Sequence, residues 1–238
     1  MKTGKDYIIF PLDVSTQEEA ARFVTILKDH VGLFKVGLEL FVSQGPRILE
    51  VIQKIAGCKV FLDLKLHDIP ATMKRAFLAA STYGPHFVSV HCDMGERFLK
   101  EVAVENPGGT KILAITLLTS LNKEHLKTLG YRDEYVNDLT RLVLLRARIA
   151  KEAGCQGVVC SGQEVAMIKR QFPGLIAVTP GIRPLWSVVS KDDQKRIVTP
   201  ADAVKNGADY IVIGRPIRDA DNPAEAAKRV SEEIESVL

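Results

Sequence analysis

The sequence predicts an α/β protein folded as one (β/α)8 barrel, a TIM barrel, spanning residues 1–238 as a single domain. Three observations carry that expectation. Short apolar runs recur eight times, each followed by a segment of helical period. No linker or shift of composition interrupts the series, and 238 residues is close to the ~250 typical of such a barrel. No G-x-G-x-x-G follows the first run, where an open doubly wound sheet would hold a dinucleotide.

The first run, YIIFPLDV (7–14), ends in Asp13. TQEEAARFVTILKDH follows as an amphipathic helix, with Ser15 and Thr16 as N-cap candidates and Glu18 and Glu19 in its first turn. The second run, LFKVGLEL (33–40), carries Lys35. The third, CKVFLDLKL (58–66), carries Asp63 and Lys65, with Asp68 just beyond. The fourth, HFVSVH (86–91), ends in His91, and the fifth, KILAITLL (111–118), leads to Thr119 and Ser120. QGVVCS (156–161) is the sixth; LIAVTP (175–180) is the seventh and enters the turn Pro180-Gly181, with Arg183 after it. The eighth, YIVIG (210–214), ends in Gly214 and Arg215, and the amphipathic NPAEAAKRVSEEIESVL closes the chain. Runs this rich in Val, Ile and Leu suit strands of a parallel sheet buried on both faces. A right-handed series of eight such units closes into a barrel more naturally than it forms an open sheet.

Charge narrows the partners. Lys plus Arg number 32 against 29 Asp plus Glu, a formal net charge of +3, so no basic stripe exists to grip a nucleic acid. The most basic stretch, TRLVLLRARIAKEAG, sets Arg141, Arg146, Arg148 and Lys151 among aliphatics at helical spacing and reads as a solvated helix face. The N-terminal apolar run is interrupted by Pro11 and Asp13 and resembles no signal segment. No run approaches the ~18 apolar residues a membrane helix needs. Cys58, Cys92, Cys155 and Cys160 show no C-x-x-C spacing, so free buried thiols and a cytoplasmic location are expected.

Barrel enzymes work at the C-terminal ends of their strands, and there the ionisable residues gather. In FLDLKL, alternation puts Phe61, Asp63 and Lys65 on one face and Leu62, Leu64 and Leu66 on the other. The leucines suit the helix layer, which aims the acid and the base into the barrel mouth. A buried salt bridge is a weak source of stability, so function is the better reason for one here. Lys35, Asp63, Lys65 and Asp68 form an alternating, net-neutral set in which each lysine has a carboxylate to favour its charged form. Such a set suits a protonated lysine held beside a carbon that develops negative charge. His91 reads as a hydrogen-bonded structural histidine, and strand parity does not decide where His67 points.

The loops after strands seven and eight are the recurrent phosphate position of this fold. Gly214 and Arg215 follow strand eight, while Gln194 and Arg196 lie in the long connection after strand seven. That connection, about 181–198, also holds Arg183, Lys191 and Trp186, the only Trp. Its length predicts a lid that grips the phosphate and excludes water.

At DLKLHDIPAT, with its Asp63-x-Lys65-x-x-Asp68 pattern, the sequence resembles the orotidine 5′-phosphate decarboxylase family. The likeness runs along the whole chain: LDV at Asp13, KVGLELF at Lys35, LLTS at Thr119, VTPGIR ending at Arg183, DDQKR at Gln194 and VIGRPI at Arg215 fall in order. The resemblance implies cofactor-free, metal-free decarboxylation of orotidine 5′-phosphate to UMP, the last step of de novo pyrimidine synthesis. It makes Lys65 the proton donor to C6 and places Asp63 near the departing carboxylate. Lys35 would hold Asp63 and a ribose hydroxyl, and Asp13 would contact Lys35 and the ribose. It further implies a homodimer in which Asp68 and Ile69 reach the partner's site, with Thr72 also in contact with substrate. Thr119 would meet the base; Arg183, Gln194, Gly214 and Arg215 would meet the phosphate. One stretch departs from the pattern: HCDMGE follows strand four where smaller, Gly-rich residues are expected.

Three rivals remain. A metal-dependent sugar-phosphate decarboxylase or aldol synthase shares D-x-K-x-x-D, but needs an acidic ligand where Lys35 stands. A Schiff-base aldolase needs a lysine stripped of charge partners, unlike Lys65. A non-catalytic phosphate-ligand barrel needs only the strand-eight site and leaves the charged set without a purpose.

Overall fold

The computed structural model describes residues 2–57, 59–106, 108–187 and 198–238. Eight parallel strands close a barrel in chain order. They are β1 (Ile8–Pro11), β2 (Leu33–Gly37), β3 (Lys59–Leu66) and β4 (Phe87–His91), followed by β5 (Lys111–Ile115), β6 (Gly157–Val159), β7 (Ile176–Thr179) and β8 (Tyr210–Val212). β1 pairs with β8 to complete the ring. Each apolar run of the sequence supplies one strand.

Two layers of core follow from strand parity. Outward residues such as Phe10, Phe34, Leu62 and Val88 pack beneath the helices, and Leu64 and Leu66 join them partly buried. Inward residues Ile9, Leu33, Phe61, Phe87, Leu113 and Val178 plug the lower barrel. Phe87 meets Phe61 and Tyr210 edge-on, at ring separations of 5.9 and 5.4 Å, the arrangement aromatic quadrupoles favour. One inward layer higher the residues become Lys35, Asp63 and Ser89, so the apolar plug is the floor of a charged mouth.

Local signals set the helices. Thr16 is the N-cap of helix Gln17–Leu27, accepting from the Glu19 amide at 3.2 Å. Asn222 does the same for Pro223–Glu235, which carries Pro at its first position. Several strands stop short of the apolar runs that announce them. The second run was expected to be extended through residue 40, but Leu38–Gln44 is helical. The last β2–β3 register pair is Gly37 with Asp63; β2 leaves the ladder there and the chain turns into the helix while β3 runs on to Leu66.

The expected solvated arginine face is corrected at one position. In helix Leu139–Glu152, Arg146 is buried, 7% exposed. It turns under the β5 rim, where Nη1 donates to the Thr116 carbonyl at 2.5 Å and Nη2 to the Tyr131 hydroxyl at 2.7 Å. Helical spacing cannot separate an arginine over solvent from one over loop carbonyls that need a donor. Cys92, Cys155 and Cys160 are buried and outside any disulfide among the described residues; Cys58 lies outside the described residues. No helix among the described residues is long and apolar enough to cross a membrane.

Candidate active site

β2 and β3 run side by side with Lys35 opposite Phe61 and Gly37 opposite Asp63, which lays the Lys35 ammonium across the Asp63 carboxylate. The Nζ of Lys35 is 3.6 Å from Asp63 Oδ2 and 3.3 Å from Asp13 Oδ1. Lys65 Nζ donates to the same Asp63 Oδ2 at 2.8 Å. A Cβ at residue 37 would stand 3.0 Å from Lys35 Nζ, a tight contact, so the glycine leaves this ammonium room along the rim.

Lys65 reaches the mouth by an irregular route. The step from Leu62 to Leu66 on β3 is matched only by Val88 to Val90 on β4. Within this bulge Lys65 takes a left-handed φ of 51°, a conformation that costs a branched-free L residue on the order of 1–3 kcal/mol. Its displaced amide donates to Ser89 Oγ at 2.9 Å, and the Ser89 hydroxyl in turn donates to Asp63 Oδ1 at 2.7 Å. Ser89 therefore fixes both members of the Asp63–Lys65 pair. Sequence reasoning passed over it, although the alternation of Phe87, Ser89 and His91 marked it as inward-facing.

Asp63 and Lys35 are buried, 7% and 9% exposed. Burial by itself would push the Asp63 carboxyl up. The ammonium groups of Lys35 and Lys65, with the hydrogen bonds from Lys65 and Ser89, outweigh it and hold the group below the usual carboxylate range. Beside the pair lies a cavity of about 150 Å³ walled by Lys35, Asp63, Lys65, Leu117, Thr119, Cys160, Pro180 and Val212, among others. A space of that order accepts one six-membered ring.

The remaining expected residues divide into three groups. Arg183 and Arg215 share a second cavity, about 340 Å³, with Trp186 and Pro216. Gly214 is the cap residue before the short helix Arg215–Arg218, and a Cβ there would strike Pro11 Cγ at 2.9 Å. Among the described residues Asp68, Ile69 and Thr72 make no ion pair or side-chain hydrogen bond with the charged array. Asp68 is exposed and accepts from the Ile69 amide at 2.6 Å, Ile69 is 65% exposed, and Thr72 lies in the first turn of helix Pro70–Ser81. In a single chain the array is thus Asp13–Lys35–Asp63–Lys65. Gln194, Lys191 and Arg196, with residues 188–197 of the expected lid, lie outside the described residues. Among the described residues no group of three or more His, Cys, Asp or Glu is placed to hold a metal ion.

A closed parallel barrel that gathers its buried charges at the C-terminal rim, above an apolar floor, belongs to the (β/α)8 class of enzymes. Within that class the chain belongs to the orotidine 5′-phosphate decarboxylase / HUMPS family, whose model matches residues 6–230. It is 49% identical, over 240 aligned residues, to the orotidine 5′-phosphate decarboxylase of Desulfosudis oleivorans, covering 100% of this chain and 96% of that protein. The enzyme of the same name from Methylococcus capsulatus is 46% identical, with 98% and 93% covered. The crystal structure of orotidine 5′-phosphate decarboxylase from Lactobacillus acidophilus superposes with a TM-score of 0.81 at 31% identity, covering 95% of this chain and 98% of that one.

Proposed function

We propose that this chain decarboxylates orotidine 5′-phosphate to UMP, using its own side chains and no metal or cofactor. The observation that carries this reading is the Asp13–Lys35–Asp63–Lys65 array beside a ring-sized cavity. Breaking the bond from C6 to the carboxylate leaves an electron pair on C6, with no attached system able to delocalise it well. An ammonium already fixed in a dry site stabilises that charge without reorganising as it forms. Lys65 is so fixed by Asp63, and its Nζ proton passes to C6 as CO2 departs; solvent returns a proton to the lysine afterwards. Lys35 and Asp13 orient Asp63 and the ribose, and Thr119 on the cavity wall contacts the base.

Arg183, Gly214 and Arg215 bind the phosphate in this reading, together with Gln194. Their grip on a group remote from C6 supplies binding energy that the chemical step can use. Asp68 and Ile69 act across a homodimer interface, which suits their exposure in one chain, and Thr72 contacts the substrate. A cytoplasmic enzyme fits the buried cysteines that stand outside any disulfide among the described residues. The metal-dependent alternative is disfavoured by Lys35, whose ammonium would repel a cation beside Asp63. The deciding assay is UMP formation from orotidine 5′-phosphate in the presence of EDTA. Wild type turns over and Lys65→Ala does not, though the variant still binds UMP. Loss of wild-type turnover on chelation, or a Lys65→Ala rate within about tenfold of wild type, would overturn the assignment.

A further inference from the structure

Next to the array, and not part of it, lies an ionic cluster built on HCDMGE, the stretch at the end of β4. Asp93 sits in the single turn Cys92–Met94 after β4. Its Oδ1 faces Nε2 of His67 at 3.2 Å and Nδ1 of His91 at 3.7 Å. Its Oδ2 stands 3.8 Å from Nη2 of Arg146, the guanidinium held under the rim by Thr116 and Tyr131. His67 follows Lys65 by two residues and precedes Asp68 by one. The segment it occupies has little ladder support. Beyond the bulge, the β3–β4 register holds at Leu66 and Val90, and the backbone before it is in the left-handed region at Lys65.

We propose that Asp93 is a positioning residue for the decarboxylation: by tying His67 to the anchored Arg146, it holds the turn that presents Lys65 and Asp68. The proposal rests on the functional reading above. A carboxylate suits the task because two imidazoles and a guanidinium converge on it, and charge-assisted contacts are about twice as strong as neutral ones. Burial holds the His91 imidazole below its ordinary range; Asp93 opposes this, while His67, Arg146 and Lys65 add to it. His91 is therefore a neutral wall of the cluster, and His67 is the partner through which Asp93 acts on the turn. A catalytic group misplaced by about 1 Å costs on the order of 100-fold in rate; a slackened tether costs less than that.

The test compares wild type, Asp93→Asn, His67→Gln and the double variant for kcat and KM with orotidine 5′-phosphate, and for UMP affinity by calorimetry. Each single variant is expected to lose about tenfold in kcat while KM and the UMP Kd stay within about twofold. The double variant should be no slower than the slower single one, because both changes remove one contact. Asp93→Glu, which keeps the carboxylate, should recover most of the loss. Wild-type kcat in Asp93→Asn, or single losses that multiply in the double variant, would overturn the proposal. His67 is exposed, so its variant keeps the test open if Asp93→Asn folds poorly. A wild-type protein that binds UMP but forms none from orotidine 5′-phosphate overturns the functional reading, and this proposal with it.

Discussion

His86, at the foot of β4, shows how one residue's surroundings set a property of the whole chain. Its ring packs 4.4 Å from that of Phe87, and its Nε2 lies 3.4 Å from Lys111 Nζ. Burial, then the charges of Lys111 and Lys59, lower its pKa from 6.5 to about 4. The unfolded chain takes up this proton near the ordinary value, whereas the folded chain resists until about pH 4. His86 therefore favours folding fully above about pH 6.5, and that contribution is lost as pH falls toward about 4. Thermal denaturation should show Tm declining across this window, with His86→Gln flattening the decline; an unchanged slope in the variant would refute the account. Asp63 follows the opposite chemistry: its depressed pKa preserves its ion pairs until the pH falls below the usual carboxylate range. At this scale Lys35, Asp63 and Lys65 were legible, because residue type and strand position point to the rim, although Lys65 reaches it through a bulge. Ser89 was passed over and Arg146 was read as part of a solvated face, since each is defined by the partner it reaches on another element.

Among the elements, β3 departs most from its pattern. Simple alternation aims Asp63 and Lys65 the same way, and they do meet, but through a bulge that Ser89 repairs from the neighbouring strand. The pattern in one strand cannot announce a register shift, because the shift is a relation between two. At the other side of β1, helix Arg215–Arg218 follows β8 and carries the arginine assigned to phosphate. If that assignment holds, Arg215→Ala weakens UMP binding by about 10- to 100-fold, the worth of one hydrogen bond to a charged group, and leaves uridine binding unchanged. Titration calorimetry with both ligands checks this. Equal wild-type affinity for UMP and uridine would remove the phosphate site.

For the whole molecule, Asp68 is exposed and bonded to the Ile69 amide, and the homodimer proposed above gives it a testable role. If active sites are shared across a homodimer, Lys65→Ala and Asp68→Ala are each inactive alone but complement when mixed. A heterodimer then holds one intact site. Activity assays after subunit exchange should show recovery, and exchange without recovery would confine each site to one chain. The sequence by itself determined the architecture and the chemistry of the rim. Eight buried apolar runs with helical segments between them have one economical closure, and side-chain parity is a local property that survives folding. Only the tertiary structure decided how the charges are joined. It left Asp68 exposed beyond the bulge, set Ser89 between Asp63 and the Lys65 amide, and placed Asp93 between His67 and Arg146. Those contacts cross from strand to strand and from loop to helix. Their distances depend on barrel closure and register, which no single segment encodes. The near-cancellation of charge visible in composition thus becomes, in the fold, a sequence of specific pairs around a ring-sized cavity.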